Sequence, residues 1–165
     1  MTAKNGMKMG RDRTLTGAAG EHYIAFRLAA MGYAVGLTTR GTRTVDMVVA
    51  NPDNGKSITI DTKTMQKAFE RSGDDCWWKW RMGIRAYEKP IHEDFFYALV
   101  DLKGDPTKTP DVFIVPSKEL NRFLEAHPVG VSPASGKLTD VWCVIYSKDA
   151  SNYRDKWDTI REALA

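Results

Sequence analysis

The stretch Asn51-Pro52-Asp53-Asn54-Gly55 constrains this chain more than any other, because it is a dense turn signal with a strand-like run on each side. Residues 44–49 and 57–60 are rich in β-branched side chains, so an antiparallel hairpin is expected. Its parity then decides which side chains share a face. A turn centred on Asp53-Asn54 sets Asp46 opposite Asp61, and one centred on Asn54-Gly55 sets Asp46 opposite Lys63. Both registers put Asp46, Asp61 and Lys63 on one face and Ile58, Ile60 and Thr62 on the other. A slip of one residue would part them.

Asp46 lies among apolar neighbours, where a charge is costly unless it is paired or used. Adjacent strands run about 4.8 Å apart, so two facing carboxylates can share a divalent cation, which holds oxygen ligands at roughly 2.0–2.6 Å. A third acid comes from the N-terminal side. Thr16 is suited to cap a helix and Gly32 to end it, and Glu21, Ile24, Leu28 and Met31 fall on one stripe between them. Glu21 therefore faces the core. An acid there can simply complement the helix dipole, but that task does not require a place on the apolar stripe.

Glu21 on a first helix, Asp46 on a second strand and Asp61-Thr62-Lys63 on a third together resemble the PD-(D/E)XK nuclease superfamily, in the branch of Holliday junction resolvases and small bacterial restriction-endonuclease-like proteins. Gly17-Ala18-Ala19-Gly20-Glu21-His22-Tyr23 and Gly32-Tyr33 add to the likeness, which covers residues 16–64. The resemblance implies an α/β fold: a restriction-endonuclease-like mixed β-sheet flanked by helices, with a first helix followed by a three-strand meander. It also implies hydrolysis of DNA phosphodiesters that leaves a 5′-phosphate. Asp46 and Asp61, with the Thr62 carbonyl, would hold one or two Mg²⁺ ions, for which Mn²⁺ would substitute. Glu21 would act as an auxiliary acid through a second ion or a bound water. Lys63 would orient or deprotonate the attacking water and offset developing charge. Two features depart from the pattern. Val45 stands where the family has proline, and the literal Pro52-Asp53 belongs to the turn. Beyond residue 64 the family continues with a helix and a strand, whereas residues 65–90 are aromatic and basic with no helical period.

A chain of 165 residues that is 42% hydrophobic is large enough for one core, and no linker or repeat divides it. A single domain over residues 16–165 is expected, preceded by a basic flexible arm over 1–15. The arm region carries Lys4, Lys8, Arg11 and Arg13 against Asp12, so it accounts for the whole net charge of +3. Lys67, Lys79, Arg81 and Arg85 alternate with tryptophans and other aromatics, a mixture suited to a phosphate-tracking groove; Arg40 and Arg43 in the loop before Asp46 join them as candidate nucleic-acid contacts. The tryptophans serve equally as core or as a dimer contact.

Residues 95–100, 111–115 and 141–146 read as further strands. Ser117 is expected to cap a helix with Leu120, Phe123 and Leu124 inward. Ser151 or Asn152 would cap a last helix with Tyr153, Trp157, Ile160 and Leu164 on its core stripe. Two cysteines make no disulfide framework, and no apolar run reaches membrane-spanning length, so a soluble cytoplasmic protein is expected. The partner the resemblance implies is DNA; an RNA-directed nuclease would share the site and differ only in the groove. Paired cuts on opposite strands would call for a homodimer. The rival is a non-catalytic nucleic-acid-binding or protein-interaction module on the same fold, which basic partners locking Asp46 and Asp61 would favour.

Overall fold

Helix α1 (Arg13–Ala30) leads into an antiparallel meander of β1 (Ala34–Leu37), β2 (Met47–Ala50) and β3 (Ser57–Met65). These elements belong to a computed structural model that describes residues 13–39, 45–82, 86, 92–126, 130–131 and 138–165. The expected turn closes the hairpin. Asn51 N–H donates to the Lys56 carbonyl and Gly55 N–H to the Asn51 carbonyl, both at 2.9 Å, and Gly55 takes φ +76°, a conformation that favours glycine. Met47 pairs with Ile60 and Val49 with Ile58, the register of a turn centred on Asp53-Asn54.

The start of α1 corrects the expected cap. The helix is already formed at Arg13, so the last three residues of the predicted arm are helical, while residues 1–12 lie outside the described residues. Thr16 is buried inside the helix and its hydroxyl accepts a hydrogen bond from Gln66 Nε2 at 3.0 Å, a packing duty that replaces capping. The end matches expectation. Gly32 takes φ +95°, Tyr33 N–H reaches the Leu28 carbonyl at 3.2 Å and Gly32 N–H the Ala29 carbonyl at 2.9 Å, a Schellman closure.

β3 is long enough to serve two neighbours. Residues 57–60 pair with β2, and residues 59–65 pair in parallel with β6 (Phe95–Asp101), which in turn pairs antiparallel with β7 (Asp111–Pro116). The result is a mixed five-stranded sheet of order β1-β2-β3-β6-β7, the mixed α/β architecture flanked by helices that the sequence led us to expect. The crossover from β3 to β6 carries a hairpin, β4 (Phe69–Ser72) and β5 (Asp75–Arg81), in the region where the family resemblance implied a helix. Trp78 and Trp80 turn inward on β5, and Trp77, Lys79 and Arg81 alternate with them. That period of two is why no helical period is visible in the sequence.

After β7 come α2 (Ser117–Ala126), a short β8 (Gly130–Val131) and β9 (Leu138–Asp140), then β10 (Trp142–Tyr146), α3 (Ser147–Ala150) and α4 (Trp157–Leu164). β10 joins the hairpin in a second sheet of order β10-β5-β4. Two expected caps are corrected. The Ser117 hydroxyl donates to the His92 carbonyl at 2.8 Å and accepts from His92 N–H at 3.3 Å, tying the chain before β6 to α2. The last helix starts only at Trp157, because Asp155 takes φ +54° and interrupts the run; Tyr153 packs edge-on to Phe123 instead.

The five-stranded sheet is covered on both faces, so β6 is buried along its whole length. Ile24 and Leu28 of α1 and Trp157, Ile160 and Leu164 of α4 pack with Met47, Val49, Ile58, Ile60 and Phe96 on one face. On the other, Tyr97, Leu99 and Phe113 meet Trp78, Trp80, Cys143 and Ile145 of the second sheet and Leu120 and Leu124 of α2. Among the described residues no helix is long and apolar enough to cross a membrane.

Candidate active site

β2 and β3 part company at the point where the acids sit. The ladder stops at Met47 opposite Ile60, yet β3 continues to Met65 beside β6. Asp46 is the residue just before β2, one position outside the strand in which the sequence placed it. Its N–H donates to the Ile60 carbonyl at 3.0 Å, so Asp46 and Met47 both address Ile60, a bulge-like two-to-one arrangement of the kind that re-aims a side chain. The Asp46 carbonyl accepts from Thr38 N–H at 2.9 Å, and the Thr38 hydroxyl reaches the carbonyls of Val45 at 2.7 Å and Asp46 at 3.2 Å. Asp46 Oδ2 then accepts the Thr62 N–H at 2.7 Å. A carboxylate thus takes the ladder place that the departing backbone leaves open on β3.

That placement brings Asp46 against Asp61. Asp61 is 2% exposed and forms an ion pair with Lys63 on the same face of β3. Lys63 Nζ also lies 3.3 Å from the Thr62 carbonyl. The Asp46 carboxyl is pushed up from 3.8 to about 6, first by burial, then by the charge of Asp61 and a hydrogen bond shared with it; the Thr62 N–H and the Lys63 ammonium pull the other way without prevailing. The Tyr97 hydroxyl is raised as well, by burial and by Asp61. Two carboxylates in contact beside the Lys63 ammonium concentrate negative charge at a half-buried spot. Such a pair can take up either a proton or a divalent cation. Asp46, Asp61 and the Thr62 carbonyl are hard oxygen donors, so the residues present fit Mg²⁺ or Mn²⁺.

Glu21 does not join them. α1 crosses β3 at Gly20, where an added Cβ would stand 1.8 Å from Thr64 Oγ1. Thr64 points toward α1, and by strand alternation Asp61 and Lys63 point away from it. Glu21, next to Gly20, is half-buried on the helix, and among the described residues no three acidic, histidine or cysteine groups cluster closely enough to hold one ion. Of the expected nucleic-acid contacts, Lys67 and Arg81 are exposed and line a common cavity beyond the end of β3. Lys79 pairs with Glu70 at 2.9 Å and lies 5.3 Å from the Trp142 ring centroid. Arg40, Arg43 and Arg85 lie outside the described residues. Sequence reasoning missed the Thr38 clamp and the Gly20–Thr64 contact, and no local spacing announces either. Both join elements that only the sheet brings together.

No family model matches the sequence, and none of the curated proteins does. Among solved structures the chain is similar to a bacterial homing endonuclease, I-Ssp6803I, at a TM-score of 0.53 and 14% identity, over 92% of this chain and 94% of that one. The two share a fold across nearly their whole lengths.

Proposed function

We propose that the chain is a divalent-metal-dependent endonuclease that hydrolyses DNA phosphodiester bonds by the PD-(D/E)XK mechanism. The observation that carries this reading is the contact between the Asp46 and Asp61 carboxylates beside the Lys63 ammonium. The shared fold with a homing endonuclease supports DNA as the substrate. In this reading Asp46, Asp61 and the Thr62 carbonyl hold Mg²⁺, with Mn²⁺ as a substitute. When bound, the ion would supply Lewis-acid chemistry, polarising the phosphate and making water a stronger nucleophile. Lys63 sits beside both the carboxylates and the Thr62 carbonyl, so its ammonium can orient that water and offset charge on the phosphate oxygens. Asp46 is held from three directions, by Ile60, Thr38 and Thr62, so its carboxylate is pre-organised and little reordering accompanies reaction. Glu21, on the helix that covers the opposite face of β3, has no part in this reading. Lys67, Lys79 and Arg81, with Arg40, Arg43 and Arg85, are assigned to the DNA backbone. A homodimer would deliver paired cuts, and a cytoplasmic setting suits free thiols at Cys76 and Cys143.

Cleavage of labelled duplex, flapped, branched and single-stranded DNA, with Mg²⁺, Mn²⁺ or EDTA, tests the reading beside Asp61→Asn and Lys63→Ala. Metal-dependent cutting lost in both variants is expected. The Lys63–Asp61 ion pair favours a second reading, a DNA-binding module in which the lysine permanently neutralises the acid. Binding without cutting under every metal would establish that alternative.

A further inference from the structure

We infer that the groove beyond the C-terminal end of β3 receives an unpaired DNA strand, so that cutting takes place where duplex gives way to single strand. The inference rests on the nuclease reading for the position of the cut, and on the groove itself for the strand.

The cavity holds about 730 Å³ and lies between the first turn of α1, the end of β3 and the edge formed by β5 and β10. Met65, two residues past Lys63 and on the same face of β3 by strand alternation, is part of its wall, so a strand whose phosphate reached Asp46 and Asp61 would run toward it. Arg13, Lys67 and Arg81 supply three cationic side chains, and no carboxylate is among the described residues that line it. Their charge suits phosphates.

Volume and aromatic character choose between a duplex and a single strand. A cavity of this size is on the scale that encloses one small organic ligand, enough for about one or two nucleotides. The major groove alone of a B-form duplex is about 12 Å wide, so the cavity cannot enclose a duplex, which would lie across its mouth and leave the inner wall untouched. Trp142, half-buried on β10, forms part of the wall with its ring anchored by Lys79 Nζ at 5.3 Å. In a duplex the base faces are stacked on one another and a tryptophan has nothing to meet; in an unpaired strand they are open to it. The Gln66 amide is fixed by its bond to the Thr16 hydroxyl at 3.0 Å and adds an oriented polar group at the same wall.

The deciding experiment is fluorescence anisotropy of a labelled single strand and of a blunt duplex of equal length, with the whole chain in EDTA so that neither is cut. The single strand should bind at least about tenfold more tightly. Trp142→Ala should weaken single-strand binding by about tenfold while Trp142→Phe largely keeps it. Lys67→Ala, at an exposed position, should lower the slope of log affinity against log salt by about 0.7. Equal affinity for the two forms would overturn the inference, and so would Lys67→Ala and Trp142→Ala proteins that melt as the parent does and bind the single strand unchanged. No metal takes part in this assay. Strand preference in a protein that cuts nothing sinks the nuclease reading alone, and cutting without strand preference sinks the inference alone.

Discussion

Replacing Asp46 by asparagine should make the metal-free protein more stable at neutral pH while abolishing cleavage. The Asp46 carboxyl titrates at about 6 in place of 3.8, a shift worth about 3 kcal/mol at face value. Asp46 is only half-buried, and solvent screening brings the effect to about 1–2 kcal/mol. The sign follows from linkage. An acid whose pKa is raised by folding contributes its stability below about pH 4, and that contribution is lost as the pH rises through about 6. Asparagine carries no charge to repel Asp61, its Oδ1 can still accept the Thr62 N–H, and its Nδ2 can donate to the Asp61 carboxylate. At pH 7.5 in EDTA the variant should therefore melt about 2–8 °C above the parent, given roughly 2–4 °C per kcal/mol for a domain of this size. At pH 4 the difference should vanish. Asp46→Ala removes the acceptor as well and should fall about 1 kcal/mol below the asparagine variant. Mg²⁺ should raise the melting temperature of the parent and not of either variant. Thermal unfolding by circular dichroism across pH 4–8 reads all of this. An asparagine variant no more stable than the parent at pH 7.5, or one whose difference from the parent stays flat with pH, would refute the reasoning.

Lys63→Ala should split two properties: Mg²⁺ affinity by calorimetry rises several-fold as the competing ammonium is removed, while cleavage falls at least about a hundredfold. A fall in both would assign Lys63 to structure alone. Gly20→Ala should cost about 1–3 kcal/mol in urea midpoint, because the added methyl meets Thr64 Oγ1 at 1.8 Å and Thr64 Cβ at 2.9 Å. Adding Thr64→Gly should recover most of that loss, and Thr64→Ala, which keeps the Cβ, only part. Asp101 is 1% exposed and accepts the N–H groups of Ala68, Phe69 and Lys103. Asp101→Ala should destabilise by about 3 kcal/mol or more, whereas Asp101→Asn keeps one oxygen facing Ala68 and Lys103 and should cost about half as much by the same denaturation assay.

The meander was readable because its signals are local. The turn residues set the loop, β-branched residues set the strands, and parity alone assigned Asp61 and Lys63 to one face and Ile58, Ile60 and Thr62 to the other. The runs at 95–100 and 111–115 were likewise legible as β6 and β7, since strands covered on both faces are apolar throughout. The crossover was not. Its alternating tryptophans carry a period of two, but nothing within residues 65–90 says that the strand pairing with β5 would arrive some 60 residues later as β10. The cap expected at Thr16 failed for a similar reason, because Gln66 claims its hydroxyl from another element.

For the acids, sequence alone determined chemistry and parity: which carboxylates and which lysine can share a surface follows from a side-chain alternation that the chain cannot escape. Only the tertiary structure decided distance and charge. β2 leaves β3 at Ile60, Thr38 clamps Asp46, and burial presses Asp46 against Asp61 until its carboxyl holds a proton to about pH 6. It also left Glu21 outside the pair, because α1 lies on the face of β3 opposite Asp61. Spacing along a chain specifies the direction a side chain takes from its own strand or helix; how close two elements come, and how much water remains between them, is set by everything packed around both.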